Sequence, residues 1–306
     1  MSVEPGEYGA VGDAADMGGE RSGDAPLPPA GMGAQVKELL RRSWLVRIGL
    51  FLVAVAVLLA IVGPYLARFP LEEATPNANL PPSTTYWFGT DPNGFDVFSR
   101  VLAAPRIDVA IALVATAIAF FIGSAIGLLT GYYRGWPGEF VMRIADLIQS
   151  FPLYVLAIII VVLTGRNFQN IVLVIALLNI PIYVRLVRSQ VLSLRERTFV
   201  EAGKAAGTTD LNIAVRHVLP NGLSPALAQV PITIGFAILI TAGLSFIGAG
   251  VRPPTPEWGV MVASGAESII IGEWWISFFP GVAISLTVFG FAVVGEALRA
   301  VFLREV

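Results

Sequence analysis

Six stretches of this sequence contain no Asp, Glu, Lys, Arg or His, and they limit what the chain can fold into. A helix needs about 20 mainly apolar residues to cross the hydrocarbon core of a bilayer. Charged residues make up only 14% of the chain, compared with about a quarter of an ordinary soluble domain. We therefore predict an all-α membrane protein with six transmembrane helices. The charge-free stretches are 48–67, 109–133, 147–165, 167–184, 218–251 and 274–295.

The residues that flank these stretches set the span boundaries, and only Arg166 separates the third stretch from the fourth. We place the spans at about 46–67, 107–133, 143–165, 167–190, 222–250 and 274–297. Three long loops remain, at 68–105, 193–220 and 251–273. Residues 1–35 are rich in Gly, Pro and acids, and we predict a disordered cytoplasmic tail because such a segment buries too little apolar surface to offset the entropy of ordering. The membrane domain is then 36–306.

The basic residues are unevenly distributed among the loops, which predicts the orientation. With the N-terminus in the cytoplasm, 15 of the 20 Lys and Arg residues lie on the inner side. The positive-inside rule favours this arrangement, and six spans then place both termini in the cytoplasm. The loops at 68–105 and 251–273 are external and the loop at 193–220 is internal. Trp258, Trp274 and Trp275 are expected at the outer lipid–water interface.

A glycine face marks the second span. Gly123, Gly127 and Gly131 recur every four residues, which places them on one side of a helix and permits close approach of another helix. A packing seam is the interpretation that we prefer to a gating role.

The internal loop has the pattern of two short helices joined at a sharp angle. Residues 198–206 have helical character, with Phe199, Ala202 and Ala206 roughly on one face. Gly207 is a natural helix stop. Such an elbow, held by spans at both ends, could transmit a push from a cytoplasmic partner. A simple connector is the alternative that periodicity leaves open.

The second helix of this elbow is predicted from Asp210 to Arg216. Thr208 or Thr209 can cap it, and Asp210 lies near its positive end. Pro220 then turns the chain into the fifth span.

Chemistry at a metal, a thiol or a bound nucleotide is not predicted for this chain. It has no cysteine and a single histidine, His217, which argues against thiolate sites and a histidine-based metal site. The pair Gly203-Lys204 lacks the preceding Gly and the following hydroxyl of a phosphate-binding loop. We therefore expect a non-catalytic subunit.

Three other classes of membrane protein remain as alternatives. A secondary transporter needs ionisable or unwound elements at mid-membrane, and the central parts of these spans carry no charge. A channel subunit needs a repeated pore-lining filter, which is not evident. A structural membrane partner would not need the elbow.

The elbow resembles the signature of the permeases of bacterial ABC (ATP-binding-cassette) importers. That signature is Glu-Ala-Ala, three residues, Gly and, about a dozen residues later, Leu-Pro. Here it stands as Glu201-Ala202-Gly203, then Gly207, then Leu219-Pro220. The third position is Gly rather than Ala, which slightly weakens the helix.

Within this family, the chain most resembles the C-type permease subunit of dipeptide, oligopeptide, glutathione and nickel importers. The resemblance covers residues 41–299 approximately. Five further motifs carry it: Phe88-Gly89-Thr90-Asp91 with Asp96-Val97-Phe98-Ser99-Arg100, Arg216-His217-Val218-Leu219-Pro220-Asn221, Leu244-Ser245-Phe246-Ile247-Gly248, Pro253-Pro254-Thr255-Pro256-Glu257-Trp258-Gly259 and Phe279-Pro280-Gly281. The sequence departs from the family in two places, which makes the substrate less certain but not the family. Phe95 replaces the usual Arg between Gly94 and Asp96. Near the end, the usual Asn-Leu-Leu-Gly-Asp and Asp-Pro-Arg motifs are altered, although Glu296 keeps the acid of the first.

The resemblance implies the type I ABC importer permease fold and a multi-pass place in the bacterial cytoplasmic membrane, among its lipids. It implies partners as well: a second, B-type permease subunit, two ATP-binding subunits and an extracytoplasmic solute-binding protein, with no nucleic acid. ATP and Mg²⁺ would be bound by the ATPases, and alternating access would carry the solute. Peptide is the leading substrate, with glutathione, nickel complexes, sugars and opines open. The residues expected to couple to the ATPases are Glu201, Ala202, Gly203, Ala206, Gly207, Thr208, Asp210, Leu219 and Pro220.

Overall fold

The computed structural model describes residues 43–302, and the secondary structure within that range is helical except for one isolated bridge between Thr90 and Asp96. The predicted tail at 1–35 lies outside the described residues. In chain order the α-helices are α1 (Trp44–Val62), α2 (Val97–Ala103), α3 (Pro105–Tyr132), α4 (Trp136–Ser150), α5 (Leu153–Thr164), α6 (Phe168–Leu194), α7 (Thr198–Ala205), α8 (Asp210–Ile213), α9 (Leu219–Gly222), α10 (Ser224–Phe246), α11 (Trp258–Ala266) and α12 (Trp275–Phe302). The all-α class is confirmed.

Five spans of the described range are long and apolar enough to cross a membrane, and a sixth crossing results if α4 and α5 count as one span. These two helices meet at an angle of 95°, whereas the sequence predicts one continuous span at 143–165. The difference has its cause at Pro152, which has no N–H to donate into a helix. Its ring also disfavours helical backbone at Phe151, which is extended with ψ of 142°. Three other prolines lie inside continuous helices: Pro181, Pro231 and Pro280.

The predicted glycine face of α3 packs against α6. A Cβ atom built on Gly123 would lie 2.6 Å from the Cβ of Tyr183, and one on Gly127 would lie 2.9 Å from the Cβ of Val187. Gly131 is equally close to the next turn of α6. A side chain at any of the three would push the helices apart, so this face is a packing seam.

The helix α10 lies near the centre of the bundle, packed on α3, α11 and α12, whereas α1 lies at its edge against α12 and α3. Only 11% of the apolar window of α1 is buried, compared with 61% for α6. A helix that is apolar all round and hardly buried suits contact with lipid.

At the end of the bundle where α3 begins, two loops fold against each other, and we call these segments, 66–104 and 247–274, the cap. The indole Nε1 of Trp258 donates a hydrogen bond of 3.1 Å to the carbonyl of Val101. The Nε1 of Trp275, at the start of α12, donates one of 3.2 Å to the carbonyl of Thr90. The cap therefore joins the two loops predicted to be external, and each contains a short helix, α2 in the first and α11 in the second.

The three tryptophans expected at the outer interface are not all exposed to lipid. Trp258 is 2% exposed and Trp275 is 8% exposed, while Trp274 is 49% exposed. The expectation is therefore wrong for Trp258 and Trp275. Each indole N–H has a carbonyl acceptor inside the protein, so the ring can be buried without losing its hydrogen bond.

Two acids are buried where the cap meets α3. Asp108 and Glu257 are 1% and 0% exposed. The carboxylate of Glu257 caps α11 by accepting hydrogen bonds from the backbone N–H groups of Gly259 (2.9 Å) and Val260 (2.7 Å). The carboxyl of Asp108 accepts one from the backbone N–H of Trp258, at 3.2 Å. These bonds fix the position of α11 on the first turn of α3.

Candidate functional site

The loop between α6 and α10 forms two short helices and a turn, and we call residues 198–220 the elbow. The chain leaves α7 through Gly207, whose φ is 77°. Glycine adopts this left-handed backbone without strain. The helix α8 follows at once, with Thr209 at its N-cap position, although the Thr209 hydroxyl accepts no hydrogen bond from the helix. Gly207 therefore separates the two helices, at the position expected from the sequence.

The second helix is shorter than predicted. Regular α-helix ends at Ile213, and the chain continues to Val218 as π-helix. The backbone N–H of Leu219 donates to the carbonyl of Ala214, five residues back. Pro220 has no N–H to donate to the carbonyl four residues before it, which accounts for the change of register just ahead of it.

The elbow is anchored by a small apolar core. Val200 is 2% exposed, Ile213 is 1% exposed and Val218 is fully buried. A Cβ atom built on Gly203 would lie 3.2 Å from Cδ1 of Ile213. The glycine that departs from the Glu-Ala-Ala pattern thus lets α7 lie close to α8.

The opposite face of the elbow is apolar and exposed. Phe199, Ala202 and Ala206, which the sequence places on one side of α7, are all exposed. On the segment that follows, Leu211 is 57% exposed and Val215 is 46% exposed. Exposed apolar side chains grouped in this way are typical of a surface that contacts another protein or the membrane.

Polar contacts tie the elbow to the end of α3. The hydroxyl of Tyr132 donates a hydrogen bond of 2.9 Å to Oδ1 of Asp210. The Nζ of Lys204 lies 3.5 Å from the same oxygen. Nη1 of Arg195 donates to the backbone carbonyl of Tyr132, at 2.6 Å. Asp210 of α8 is therefore in direct contact with the end of α3.

A second link joins the two chain segments just beyond these residues. Arg134, after the end of α3, forms an ion pair with Glu196, just before the elbow. Both side chains are 62% exposed, so this pair contributes little to stability.

The nine predicted coupling residues all lie in the elbow, and none is fully buried. Six are exposed: Glu201, Ala202, Ala206, Gly207, Asp210 and Pro220. Three are partly buried: Gly203, Thr208 and Leu219.

Sequence reasoning missed Tyr132 and the buried anchor Val200. A tyrosine at the inner end of a span is expected at the membrane interface in any case. Its position therefore gives no sign of a bond to Asp210, 78 residues later.

Two family models match the sequence. The model described as the binding-protein-dependent transport system inner membrane component matches residues 123–306, which include the whole elbow and more than half of the chain. The model described as the N-terminal TM domain of oligopeptide transport permease C matches residues 33–82.

Three curated proteins illustrate the similarity over most of the chain. A dipeptide transport system permease protein of Alkalihalophilus pseudofirmus is 39% identical, over 85% of this chain and 86% of that protein. A probable D,D-dipeptide transport system permease protein of Escherichia coli K12 is 39% identical, over 87% and 90% of the two chains. A glutathione transport system permease protein of Pectobacterium atrosepticum is 36% identical, over 86% and 87%.

A solved structure has a similar fold. A chain of the MetNI methionine ABC transporter, in inward-facing conformations, aligns with a TM-score of 0.50 and 22% identity. The alignment covers 64% of this chain and 93% of that chain. At this level of identity the likeness concerns the fold.

Proposed function

This chain belongs to the binding-protein-dependent transport system inner membrane components, and we propose from that membership that it moves peptides or similar small solutes by coupling to ATPases at its elbow. It is a multi-pass protein of the bacterial inner membrane and a non-catalytic permease subunit of an ABC importer. The identity of its solute, the composition of the complex and the residues that contact the ATPase are part of what we propose.

The observation that carries the proposal is the exposed apolar face of the elbow on a rigid base. Val200 and Ile213 anchor the two short helices, while Phe199 and Leu211 point away from the protein. A groove on an ATPase would cover this face, with Glu201 and Ala202 among the residues in contact. Docking of a short helix into an apolar groove is a common way for two proteins to associate.

The link from the elbow to α3 supports a coupling mechanism. ATP binding would bring two ATPases together and draw the two elbows of a permease pair with them. Asp210 would pull on Tyr132, and α3 would carry α6 with it because the glycine seam permits no gap between them. The cavity would then open outward, and hydrolysis would reset it. A packed interface that has two stable arrangements can amplify such a small shift.

The full assembly in this proposal contains four kinds of subunit. A second, B-type permease subunit completes the pathway, two ATP-binding subunits hold ATP and Mg²⁺, and an extracytoplasmic solute-binding protein delivers the solute. The elbow then faces the cytoplasm and the cap faces outward, in agreement with the distribution of basic residues. Both termini are cytoplasmic in this arrangement.

Peptide is the favoured substrate because two of the relatives are named for dipeptides and one for glutathione, which is itself a peptide. Nickel complexes, sugars and opines remain alternatives within this type of importer.

Uptake by the reconstituted importer tests the proposal. The chain is co-expressed with its partner subunits, placed in liposomes and supplied with loaded solute-binding protein and radiolabelled alanyl-alanine. We expect uptake that requires ATP on the side of the membrane where the ATP-binding subunits lie. This uptake should persist without a proton gradient. Uptake driven by a proton gradient without ATP would favour a secondary transporter and contradict the proposal.

A further inference from the structure

The break between α4 and α5 lies deep in the membrane region. The helix α5 has 12 residues and ends at Thr164. Two residues later, Arg166 donates to the carbonyl of Gly248 in the cap. At 1.5 Å per residue α5 is about 18 Å long, so it is too short to cross a hydrocarbon core of about 30 Å by itself. The extended backbone of Phe151 and Pro152 therefore lies within the membrane region.

This break is not buried inside the subunit. Phe151 is 48% exposed, and Gln149, Ser150 and Pro152 are exposed as well. Non-helical backbone at membrane depth is tolerated where it is covered by protein or lines a water-filled cavity, and not where it faces lipid. One helical turn earlier, Asp146 forms an exposed ion pair of 2.6 Å with Arg185 of α6. An ion pair in contact with hydrocarbon would be costly, so the exposed side of the break does not face lipid.

A cavity of about 360 Å³ opens beside the break. Its walls combine apolar side chains with two amides, and it is lined by Ile148, Gln149, Phe151, Leu153, Leu178, Asn179, Ile182 and Phe236. Asn179, on α6, is 1% exposed. Its Nδ2 donates to the carbonyl of Ile175, at 2.8 Å, but its Oδ1 accepts no hydrogen bond from the described residues. A buried acceptor without a donor is destabilising, so this amide is suited to a ligand that brings an N–H group.

The start of α5 supplies the opposite chemistry. The backbone N–H groups of Leu153, Tyr154 and Val155 have no acceptor in the described range, and Pro152 provides no capping side chain. A helix N-terminus of this kind favours a carboxylate through its free N–H groups and its dipole. Transporters use the ends of interrupted membrane helices in this way to bind the charged groups of their solutes.

We infer that the break between α4 and α5 lines the water-filled translocation pathway, and that its cavity binds the polar groups of the solute. A carboxylate of the solute is held at the N-terminus of α5, and an N–H group donates to Oδ1 of Asn179. An acyl amino acid or a peptide carries both groups at short separation, and Phe151 and Phe236 cover its apolar side chains. The solute class rests on the proposed function, whereas the exposure of the break to water does not.

Cysteine labelling tests the pathway independently of any substrate. The chain has no native cysteine, so a single Ser150→Cys substitution can be followed on this subunit in the assembled importer. The matched control is Phe51→Cys on α1, an exposed side chain of the lipid-facing helix. The thiolate is the reactive form, and a charged reagent does not readily enter hydrocarbon. We expect a charged methanethiosulfonate reagent to label Ser150→Cys at least about tenfold faster than Phe51→Cys. Equal and slow labelling of the two would overturn the inference.

Transport by an Asn179→Leu variant tests the solute contact. Leucine has a similar volume and removes the acceptor. We expect uptake of alanyl-alanine, delivered by saturating loaded binding protein, to fall about tenfold. Thr241→Val is the control, because Thr241 is fully buried and its hydroxyl bonds only to Ala237 of its own helix.

Three comparisons separate the possible results. Wild-type uptake of alanyl-alanine that Asn179→Leu leaves unchanged would overturn the solute contact and leave the proposed function standing. Equal uptake of alanyl-alanine and its C-terminal amide would overturn the carboxylate site at α5. A wild-type importer that transports neither compound would overturn the peptide substrate, together with the solute class inferred here, while the labelling result would still decide whether the break lines the pathway.

Discussion

The cap and the elbow lie at opposite ends of α3, and they differ in how they place acidic side chains. Where the cap meets α3, two acids are buried: Asp108 and Glu257 are almost inaccessible and accept hydrogen bonds from backbone N–H groups. In the elbow, Glu201 and Asp210 are exposed, and so is the large apolar side chain of Leu211.

The difference indicates where buried polar groups find their partners within this chain. The cap supplies an acceptor for both buried indole N–H groups. The elbow is anchored from beneath but has nothing of its own over Phe199 and Leu211. Residues of the cap should therefore matter for stability, and surface residues of the elbow for binding.

The largest loss of stability is expected for Trp258→Ala. This side chain is 2% exposed, and its removal leaves a cavity and a buried Val101 carbonyl without its donor. Substitution of a buried tryptophan by alanine costs about 3–5 kcal/mol. The thermal unfolding midpoint of the detergent-purified complex measures the loss. Trp136→Ala is the control, because Trp136 is 75% exposed. Equal midpoints for the two variants would show that the cap does not stabilise the fold.

A smaller loss is expected for Glu257→Ala. The substitution removes the acceptor of the Gly259 and Val260 N–H groups at the start of α11. Unsatisfied buried donors predict a loss of about 2–3 kcal/mol in the free energy of unfolding. Glu201→Ala, in the elbow, should change it by less than about 0.5 kcal/mol, because Glu201 is at the surface. The same unfolding measurement compares them, and a greater loss for Glu201→Ala would reverse the comparison.

The sequence predicts the helical parts of this fold well because a membrane span needs a long charge-free stretch. It also identifies the glycine seam, since the four-residue spacing places Gly123 and Gly127 on one side of α3. It fails at Pro152, because a proline is compatible with a kinked or a broken helix and the surroundings decide between them. Pro181 and Pro231 lie in continuous helices although they have the same local effect on hydrogen bonding.

The same limit applies to the functional residues. Gly207 is predictable because a helix stop is a property of the local backbone. The burial of Trp258 is not, since it depends on Val101, 157 residues away. The contact of Tyr132 with Asp210 is also long-range. Local patterns therefore locate the elbow, whereas its attachment to the bundle requires the structure.

The hinge of the elbow is tested by Gly207→Val. A Cβ atom at this position would meet nothing within 4 Å, so the strain comes only from the φ of 77°. Left-handed backbone costs an ordinary residue about 1–2 kcal/mol, and valine is disfavoured further by its branched Cβ. We expect the elbow to distort and ATP hydrolysis to continue with little uptake of alanyl-alanine. Gly207→Asn should keep most of the coupling, since asparagine tolerates this conformation. Normal uptake by Gly207→Val would contradict the assignment of the hinge.

The smallest change in stability, and the sharpest contrast with the cap, is expected for Leu211→Ser. The side chain is 57% exposed and contributes little to the fold. The free energy of unfolding should therefore change by no more than about 0.5 kcal/mol, as for an ordinary surface substitution. Its apolar surface is nevertheless what an ATPase groove would cover, and loss of one anchor of this kind costs about 1–2 kcal/mol of binding, or roughly tenfold in affinity.

Co-purification of the ATP-binding subunits with the tagged permease measures this effect. Ile270→Ser is the matched control, because Ile270 is 88% exposed in the cap and should affect neither quantity. If both serine variants retain the ATPases equally, the apolar face of the elbow is not the docking surface.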